Sequence, residues 1–186
     1  MSGWETSYAT LHIKVDARGL AVLTMTRADK HNAMSAQMIA DLQTATDRLG
    51  CADDVRVVVL AAEGASFSAG GDLEWMKAQF AAPRDQRMNE ARKLAMMLKA
   101  LNEFPKPLIG RVHGPAYGGG MGLIAVCDVA IAAQDARFGF TETRLGIIPA
   151  TIGPYVLARM GEGHARRVFM SARLFDAQEA QTLGLV

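Results

Sequence analysis

The chain has 186 residues, of which half are hydrophobic and 21% are charged. This length suits one domain with a substantial core, and the composition excludes an intrinsically disordered chain. Lys and Arg total 20 against 19 Asp and Glu, and the resulting net charge of +1 gives no general attraction to nucleic acid or to an anionic membrane.

The first third of the chain predicts three strands and one helix. Apolar residues alternate with polar ones in LHIKV, and the run AVLTMT follows, which predicts a β-hairpin that turns near Gly19. Ser35 can cap a helix whose apolar stripe contains Met38, Ile39, Leu42, Ala45 and Leu49. The continuous run VRVVVLAA at 55–62 predicts a strand buried on both faces, and the Gly- and Ser-rich segment EGASFSAGGDL follows it as a loop.

The middle of the chain continues the alternation of helix and strand. Helical spacing over residues 86–102 stops before Pro105 and Pro107. The strand LIGRVHG and the glycine-rich loop PAYGGGMG come next. A helix from Met121 to Val126 and the strand DVAIAA complete this part. The segment AAPRDQ around Pro83, before the first of these helices, is expected to be a mobile loop.

The last part of the chain predicts three short helices, at 152–160, 164–171 and 177–183, with Asp176 as the cap of the third. No internal repeat or interdomain linker is visible. Strands and helices that alternate with short connections predict an α/β fold, with residues 1–186 as one domain.

The remaining sequence features argue against several classes of protein. Cys51 and Cys127 lack a CxxC spacing and are expected to be reduced core residues, and the four histidines show no metal-binding spacing. The start of the chain has no basic segment followed by an apolar one, so no secretory signal is expected. The apolar stretches are interrupted and too short to span a bilayer. These features predict a cytoplasmic protein without a bound metal.

Two glycine-rich loops each follow a predicted strand, and the second leads into a helix. Amides at the start of a helix have no intrahelical partner, and glycine lets a ligand approach them closely. Such amides can bind a phosphate or stabilise an oxyanion. Neither loop has the spacing of a Walker A or a Rossmann phosphate site. From composition alone, tight turns are the simpler explanation of these glycines.

Five ordered motifs make the whole chain resemble the crotonase (enoyl-CoA hydratase/isomerase) family. They are HNAM before the first long helix, FSAGGDL at 67–73, KPLIGRVHG, GPAYGGGMGL at 114–123, and the run that contains CDVAIAA, RFGFTE and LGIIP. The resemblance implies a spiral of ββα units with helices packed around the sheets. It also implies that the substrate is an acyl-CoA and that no separate cofactor is needed.

The resemblance implies that the backbone amides of Gly71 and Gly119 hold the thioester oxygen as it gains charge. Ala69, Gly70 and Gly118 flank these two positions and are expected to contact the substrate. Loss of one such donor would cost about 3 to 4 kcal/mol of transition-state stabilisation.

The acid/base groups depart from the pattern of family members that use two glutamates. One glutamate is present as Glu142, but Gly122 stands where the other would be and is assigned to the substrate site by position alone. Glycine cannot transfer a proton, so either Glu142 acts as both acid and base, or Glu74 or Asp72 contributes. Without the resemblance, Glu142 would be read as a surface carboxylate paired with Arg144.

The other candidate residues have weaker assignments. Asp72 is assigned to the substrate site, where it is expected to accept loop amides or cap the next helix, and Trp75 is either a packed aromatic or a wall of the acyl pocket. By resemblance, Lys30 and His31 lie near the nucleotide end of coenzyme A, although Lys30 is equally well explained as a solvated loop lysine. Arg144 is a candidate partner for a distal carboxylate on the substrate.

The resemblance implies hydration of a 2-enoyl-CoA. The segments FSAGGDLEWM, GGGMGLIAVCD and ETRLGIIPATIGPYV are similar to bacterial 3-methylglutaconyl-CoA hydratases, which favours a short or branched acyl group. The alternatives are a Δ3,Δ2-enoyl-CoA isomerase and an inactive acyl-CoA-binding member of the family.

Family members continue with C-terminal helices and form trimers or pairs of trimers. This sequence is therefore expected to be a core domain without that region.

Overall fold

The computed structural model describes residues 3–186, and its main sheet follows the predicted alternation of apolar residues. Strand β2 (Leu11–Val15) buries every second side chain and pairs antiparallel with β3 (Leu20–Met25) across a turn in which Gly19 has a φ of 82°. The predicted hairpin is therefore confirmed. An additional strand, β1 (Trp4–Ser7), pairs antiparallel with the outer side of β2.

Parallel strands extend this sheet on the other side of β3. They are β4 (Val57–Ala62), β5 (Leu108–Val112) and β7 (Val129–Ala132), and the strand order is β1-β2-β3-β4-β5-β7. Each parallel pair needs a crossover connection, which the intervening helices supply. The α/β fold and the strands expected at 55–62 and after 107 are thus confirmed.

Helices cover the sheet and lead into the site. The Ser35 hydroxyl accepts a hydrogen bond from the Met38 amide at 3.2 Å, which confirms the predicted cap of the first helix. The helices are α1 (Ala36–Cys51), α2 (Leu73–Ala81), α3 (Arg84–Asn102), α4 (Gly119–Ala125), α5 (Gly153–Met160), α6 (Glu162–Phe169) and α7 (Ala177–Thr182). Asp176 accepts from the Glu179 amide and caps α7, also as predicted.

A second, smaller sheet supports the second glycine loop. It consists of β6 (Ala116–Tyr117), β8 (Arg137–Gly139) and β9 (Phe175–Asp176), in the order β6-β8-β9. The rings of Phe138 and Phe175 stack behind it with centroids 5.9 Å apart. Because β6 leads directly to α4, this packed sheet fixes the point from which the second loop turns into its helix.

Two predictions about local structure are wrong. The segment around Pro83 is not a loop, because α2 ends at Ala81 and Pro83 already occupies the N-cap position of α3. Proline suits the start of a helix, where its missing N–H has no partner to lose. Cys51 is exposed at the end of α1 rather than in the core. Cys127 is buried as expected, and burial raises the pKa of its thiol to about 12.

Within residues 3–186, no helix combines the length and the hydropathy that a membrane crossing would require. The same part of the chain contains no cluster of three or more His, Cys, Asp or Glu side chains that could hold a metal ion.

Candidate active site

The first glycine loop is fixed against the segment that precedes α1. The Met34 amide donates to the Gly70 carbonyl at 2.7 Å, and the Asp72 amide donates to the Met34 carbonyl at 3.0 Å. These two bonds form a parallel bridge between Met34 and Gly71. Because the Gly70 carbonyl and the Asp72 amide both point toward Met34, the N–H of Gly71 itself points to the opposite side.

The second glycine loop presents an amide at the start of α4. Gly118 has a φ of 50° and a ψ of −121°, a conformation that glycine adopts far more readily than other residues, and its own amide donates to the Gly139 carbonyl. Gly119 is the first residue of α4, so its N–H has no carbonyl partner within the helix. The partial positive charge at a helix N-terminus adds to the donor strength of this amide.

The two loops lie against each other. A β-carbon built on Gly70 would lie 3.1 Å from the Gly119 nitrogen and 2.8 Å from the Tyr117 carbonyl oxygen. The Tyr117 amide donates to the Ser68 carbonyl at 2.9 Å and joins the loops directly. Within residues 3–186, neither the Gly71 N–H nor the Gly119 N–H donates to a protein acceptor. Two amides without a protein acceptor, from two segments that are in contact, are therefore available to a ligand.

Gly71 and Gly119 both belong to the lining of one cavity of about 550 Å³. Most of its wall is apolar and comes from α2, α3 and the segment before α5, including Trp75, Met76, Phe80, Leu94, Ile148 and Ile152. The ionisable side chains in the lining are Glu142, Arg87 and Arg144. This volume and mixed lining are typical of a site for a small organic ligand.

Glu142 faces the second glycine loop. Its Oε1 atom would lie 3.5 Å from a β-carbon on Gly118, and its Oε2 atom is buried without a hydrogen-bond partner among the described residues. Burial raises the pKa of this carboxyl above its ordinary value of 4.5. A carboxyl group with one free oxygen and a raised pKa is suited to accept and return a proton.

Arg144 is not the partner of Glu142. Its guanidinium donates to the Ala172 carbonyl at 2.7 Å, so a surface ion pair with Glu142 does not form. Arg144 lines the cavity and is otherwise exposed, which leaves part of its guanidinium free to meet an anion.

Asp72 holds the first glycine loop in place. Its Oδ1 atom accepts from the amides of Glu74 and Trp75, so Asp72 caps a helix as expected, although the helix is α2, which the sequence did not predict. Its Oδ2 atom accepts from Arg27 at 2.9 Å, and Arg27 also donates to the Ala33 carbonyl. Burial of Asp72 disfavours its ionised form. The hydrogen bonds from Trp75, Arg27 and Glu74 and the charge of Arg27 favour that form more strongly, so the pKa of Asp72 is lowered. Asp72 is therefore engaged in structure and does not line the cavity.

Gly122 is buried and, unlike most of the other candidates, does not line the cavity. A β-carbon on Gly122 would lie 2.3 Å from Cγ2 of Ile152 and 2.8 Å from its Cβ. Ile152 covers this glycine and forms the cavity wall in its place. A glutamate side chain at position 122 has no room while Ile152 stays where it is.

The structure separates the other candidates into two groups. Ala69, Gly71, Trp75, Gly118, Gly119, Glu142 and Arg144 line the cavity together. Gly70 is buried just behind it, whereas Lys30, His31 and Glu74 are exposed residues that do not contribute to the lining. Trp75 is both a wall and a packed aromatic, because it lines the cavity and packs against the hydrophobic core. Its indole N–H donates to Glu90 at 3.3 Å.

Sequence reasoning missed Arg27, Arg87 and Ile152. Arg87 and Leu94 are seven residues apart on α3, which places both on one face of the helix, and that spacing could have indicated a shared surface. Arg27 contacts Asp72, which lies 45 positions away, and Ile152 contacts Gly122, which lies 30 positions away. No local sequence pattern indicates contacts over such separations.

The sequence profile of the family described as enoyl-CoA hydratase/isomerase matches residues 16–186. The chain is similar to the mitochondrial methylglutaconyl-CoA hydratase of Mus musculus, at 33% identity over 177 residues, covering 94% of this chain and 55% of the relative. It thus spans about half the length of that protein.

Two solved structures are similar throughout the described fold. An enoyl-CoA hydratase from Shewanella pealeana has 39% identity and a TM-score of 0.92, with coverage of 95% of this chain and 66% of that one. AtuE from Pseudomonas aeruginosa has 36% identity and a TM-score of 0.88, with coverage of 100% of this chain and 69% of that one. These likenesses confirm the predicted crotonase-type fold.

Proposed function

The chain belongs to the enoyl-CoA hydratase/isomerase family, and we propose that it adds water to a 2-enoyl-CoA thioester. The observation that supports this most is the meeting of two free glycine amides and one half-buried carboxyl around a single cavity. The amides are suited to a thioester oxygen, and Glu142 is suited to the proton transfers that hydration requires.

The thioester oxygen would accept hydrogen bonds from the N–H groups of Gly71 and Gly119. As water adds to the β-carbon, the electron pair of the carbon–carbon double bond moves toward the carbonyl, and the oxygen becomes an enolate oxygen. Preorganised donors stabilise that charge without reorganising, and one donor contributes about 3 to 4 kcal/mol in comparable sites.

Glu142 would act as both base and acid. As a carboxylate it accepts a proton from water while the water oxygen bonds to the β-carbon. As a carboxylic acid it then gives that proton to the α-carbon, and the enolate returns to the thioester. Both transfers take place on the face that Glu142 occupies, so water adds in the syn sense, and Glu142 ends in its starting state.

The acyl group is proposed to be short or branched, with 3-methylglutaconyl-CoA as the first candidate. The apolar cavity wall and the similarity to the mouse methylglutaconyl-CoA hydratase support this choice. Arg144 would meet a distal carboxylate with the part of its guanidinium that Ala172 leaves free. If Arg144→Ala lowers the turnover of 3-methylglutaconyl-CoA and of crotonyl-CoA by the same factor, this role of Arg144 is wrong.

A second candidate is a Δ3,Δ2-enoyl-CoA isomerase. It is favoured by the observation that Glu142 is the one carboxylate lining the cavity within residues 3–186, since a single carboxylate can move a proton between two carbons. Incubation in deuterated water would label the substrate without adding water if this candidate is correct. An inactive acyl-CoA-binding protein would bind the thioester and give neither result.

Three further expectations join the proposal. Lys30 and His31 are exposed in the segment before α1 and would contact the nucleotide of coenzyme A. Coenzyme A is part of the substrate, so no separate cofactor is proposed. A cytoplasmic location is proposed. Where the family's C-terminal helices are present, a trimer or a pair of trimers is proposed, and light scattering on such a protein would measure the number of copies.

The absorbance of the enoyl thioester provides the first test. We expect it to fall when the protein meets 3-methylglutaconyl-CoA, and to fall more slowly with crotonyl-CoA. Stable absorbance with both substrates at high protein concentration would contradict the proposed hydration.

A further inference from the structure

The contact between Gly122 and Ile152 shapes the cavity wall beside the two amides. The missing side chain of Gly122 lets Ile152 approach α4 so closely that a β-carbon would lie 2.3 Å from its Cγ2 atom. Leu98 on α3 closes the same space from another side, at 3.7 Å from that β-carbon position. Ile152 is only 3% exposed, yet it lines the cavity.

This wall is fixed in position. Ile152 occupies the N-cap of α5, where its backbone is held by the helix that follows, and its β-branched side chain has little rotational freedom. The Val156 amide donates to the Ile152 carbonyl at 3.1 Å. A side chain held in this way cannot easily move aside for a larger ligand.

The wall lies close to the amide that would hold the thioester oxygen. Gly119 and Gly122 are three residues apart on α4, which puts them on the same side of the helix and about 4.5 Å apart along its axis. The side chain over Gly122 is therefore within reach of the acyl carbons next to a carbonyl group bound at Gly119.

We propose that Ile152 is a specificity-determining residue, whose side chain packs against the alkyl substituent on the β-carbon of the acyl group. This inference rests on the proposed function, because it assumes a thioester bound at Gly71 and Gly119. Ile152 accepts a methyl branch on the β-carbon and excludes a longer alkyl branch at the same position by contact. One methylene group in an apolar pocket changes selectivity by roughly 10- to 200-fold.

The test uses three saturated thioesters that have the same five-carbon chain and differ only in the branch on the β-carbon: pentanoyl-CoA, 3-methylpentanoyl-CoA and 3-ethylpentanoyl-CoA. Calorimetry gives the Kd of each without any reaction. The wild type is expected to bind the 3-methyl ester at least about tenfold more tightly than the 3-ethyl ester, which is larger by one methylene group. Ile152→Ala should reduce this ratio about tenfold, and Ile152→Val should give an intermediate ratio.

Leu98→Ala is the matched control. Leu98 is fully buried and adjoins the same glycine, but it does not line the cavity. Its loss should lower the melting temperature without changing the ratio of the Kd values. An unchanged ratio in Ile152→Ala, or the same shift in Leu98→Ala, would overturn the inference. If the wild type bound none of the three esters, the proposed function would fail as well.

Discussion

Glu142 is the side chain on which the proposed chemistry depends most. It belongs to a 3₁₀ turn at Glu142–Leu145, directly after the small sheet, and this position brings its carboxyl against Gly118. One oxygen is buried without a partner, a costly arrangement that proteins rarely retain without a use. The same arrangement leaves that oxygen available to a water molecule or to a substrate carbon.

Replacing Glu142 by Gln should remove proton transfer and keep the shape of the site. Turnover of the enoyl thioester should fall at least about 100-fold, since general acid–base catalysis typically contributes 10²- to 10⁴-fold. The Kd of 3-methylbutyryl-CoA should change little. Glu74→Gln is the matched control, because Glu74 is exposed outside the cavity, and its activity should equal that of the wild type. Full activity in Glu142→Gln would rule out the role of Glu142.

The raised pKa of Glu142 predicts two pH effects. As a base, Glu142 must be ionised, so kcat/KM should fall with decreasing pH around a pKa above the ordinary 4.5. Because the folded state favours the protonated form, the contribution of Glu142 to stability is present below pH 4.5 and is lost as pH rises through the folded-state pKa.

Urea unfolding of the wild type and of Glu142→Gln across pH 4 to 8 measures the second effect. The variant should gain stability relative to the wild type as pH rises. A difference that is constant with pH would show that burial does not shift this group.

At the scale of residues, the sequence could identify Gly71, Gly119 and Glu142 as candidates because they belong to ordered motifs. Gly71, Gly119 and Glu142 do meet around one cavity. The contribution of Ile152 could not be predicted, since it depends on a contact with a glycine 30 positions earlier in the chain. A local motif does not indicate which distant side chain packs against a glycine.

At the scale of elements, one ion pair connects the end of β3 to the start of α2. Arg27 and Asp72 have side chains that are only 20% and 10% exposed, and Asp72 also caps α2. Through Asp72 and the Met34 bridge, the Gly71 amide is held in its orientation. The orientation of the Gly71 amide therefore depends on several elements together.

Asp72→Ala should destabilise the protein by roughly 3 to 5 kcal/mol, because it removes the cap of α2 and leaves the largely buried Arg27 without its countercharge. Chemical denaturation measures this loss. Glu162→Ala is the comparison, since Glu162 and Arg166 form an exposed pair, and its effect should be much smaller. Equal losses in the two variants would contradict a structural role for the buried pair.

The packing of α4 against α5 predicts an energetic coupling between Gly122 and Ile152. Gly122→Ala alone should destabilise by about 1 to 3 kcal/mol, because its new methyl group overlaps Ile152. In the Ile152→Ala background, the same change should cost less. A double-mutant cycle of unfolding free energies measures the difference, and strictly additive effects would contradict the contact.

Sequence patterns predicted the long helices and the central strands, where apolar spacing is regular. They missed α2, because none of its residues is buried and its apolar side chains follow the cavity rather than the core. They also missed the strands β6 and β9, which have two residues each and are too short for a periodic signal. Elements of this kind are defined by their neighbours in space.

At the scale of the whole molecule, two sheets and the helices between them bring two distant loops to one place. The main sheet delivers the first glycine loop after β4, and the small sheet fixes the second before α4. The α/β class and the crotonase-type fold could be predicted from the order of elements and motifs. The division into two sheets could not, since it depends on pairings such as Tyr117 with Gly139 and Phe138 with Phe175.

The mass of the product formed from 3-methylglutaconyl-CoA in ¹⁸O-labelled water is the most direct test of the proposed reaction. The wild type should give a product heavier than the substrate by one labelled water, and Glu142→Gln should leave the substrate unchanged over the same time. An unchanged mass with the wild type, or equal hydration by both proteins, would contradict the proposal that Glu142 catalyses hydration of a thioester bound at the two glycine amides.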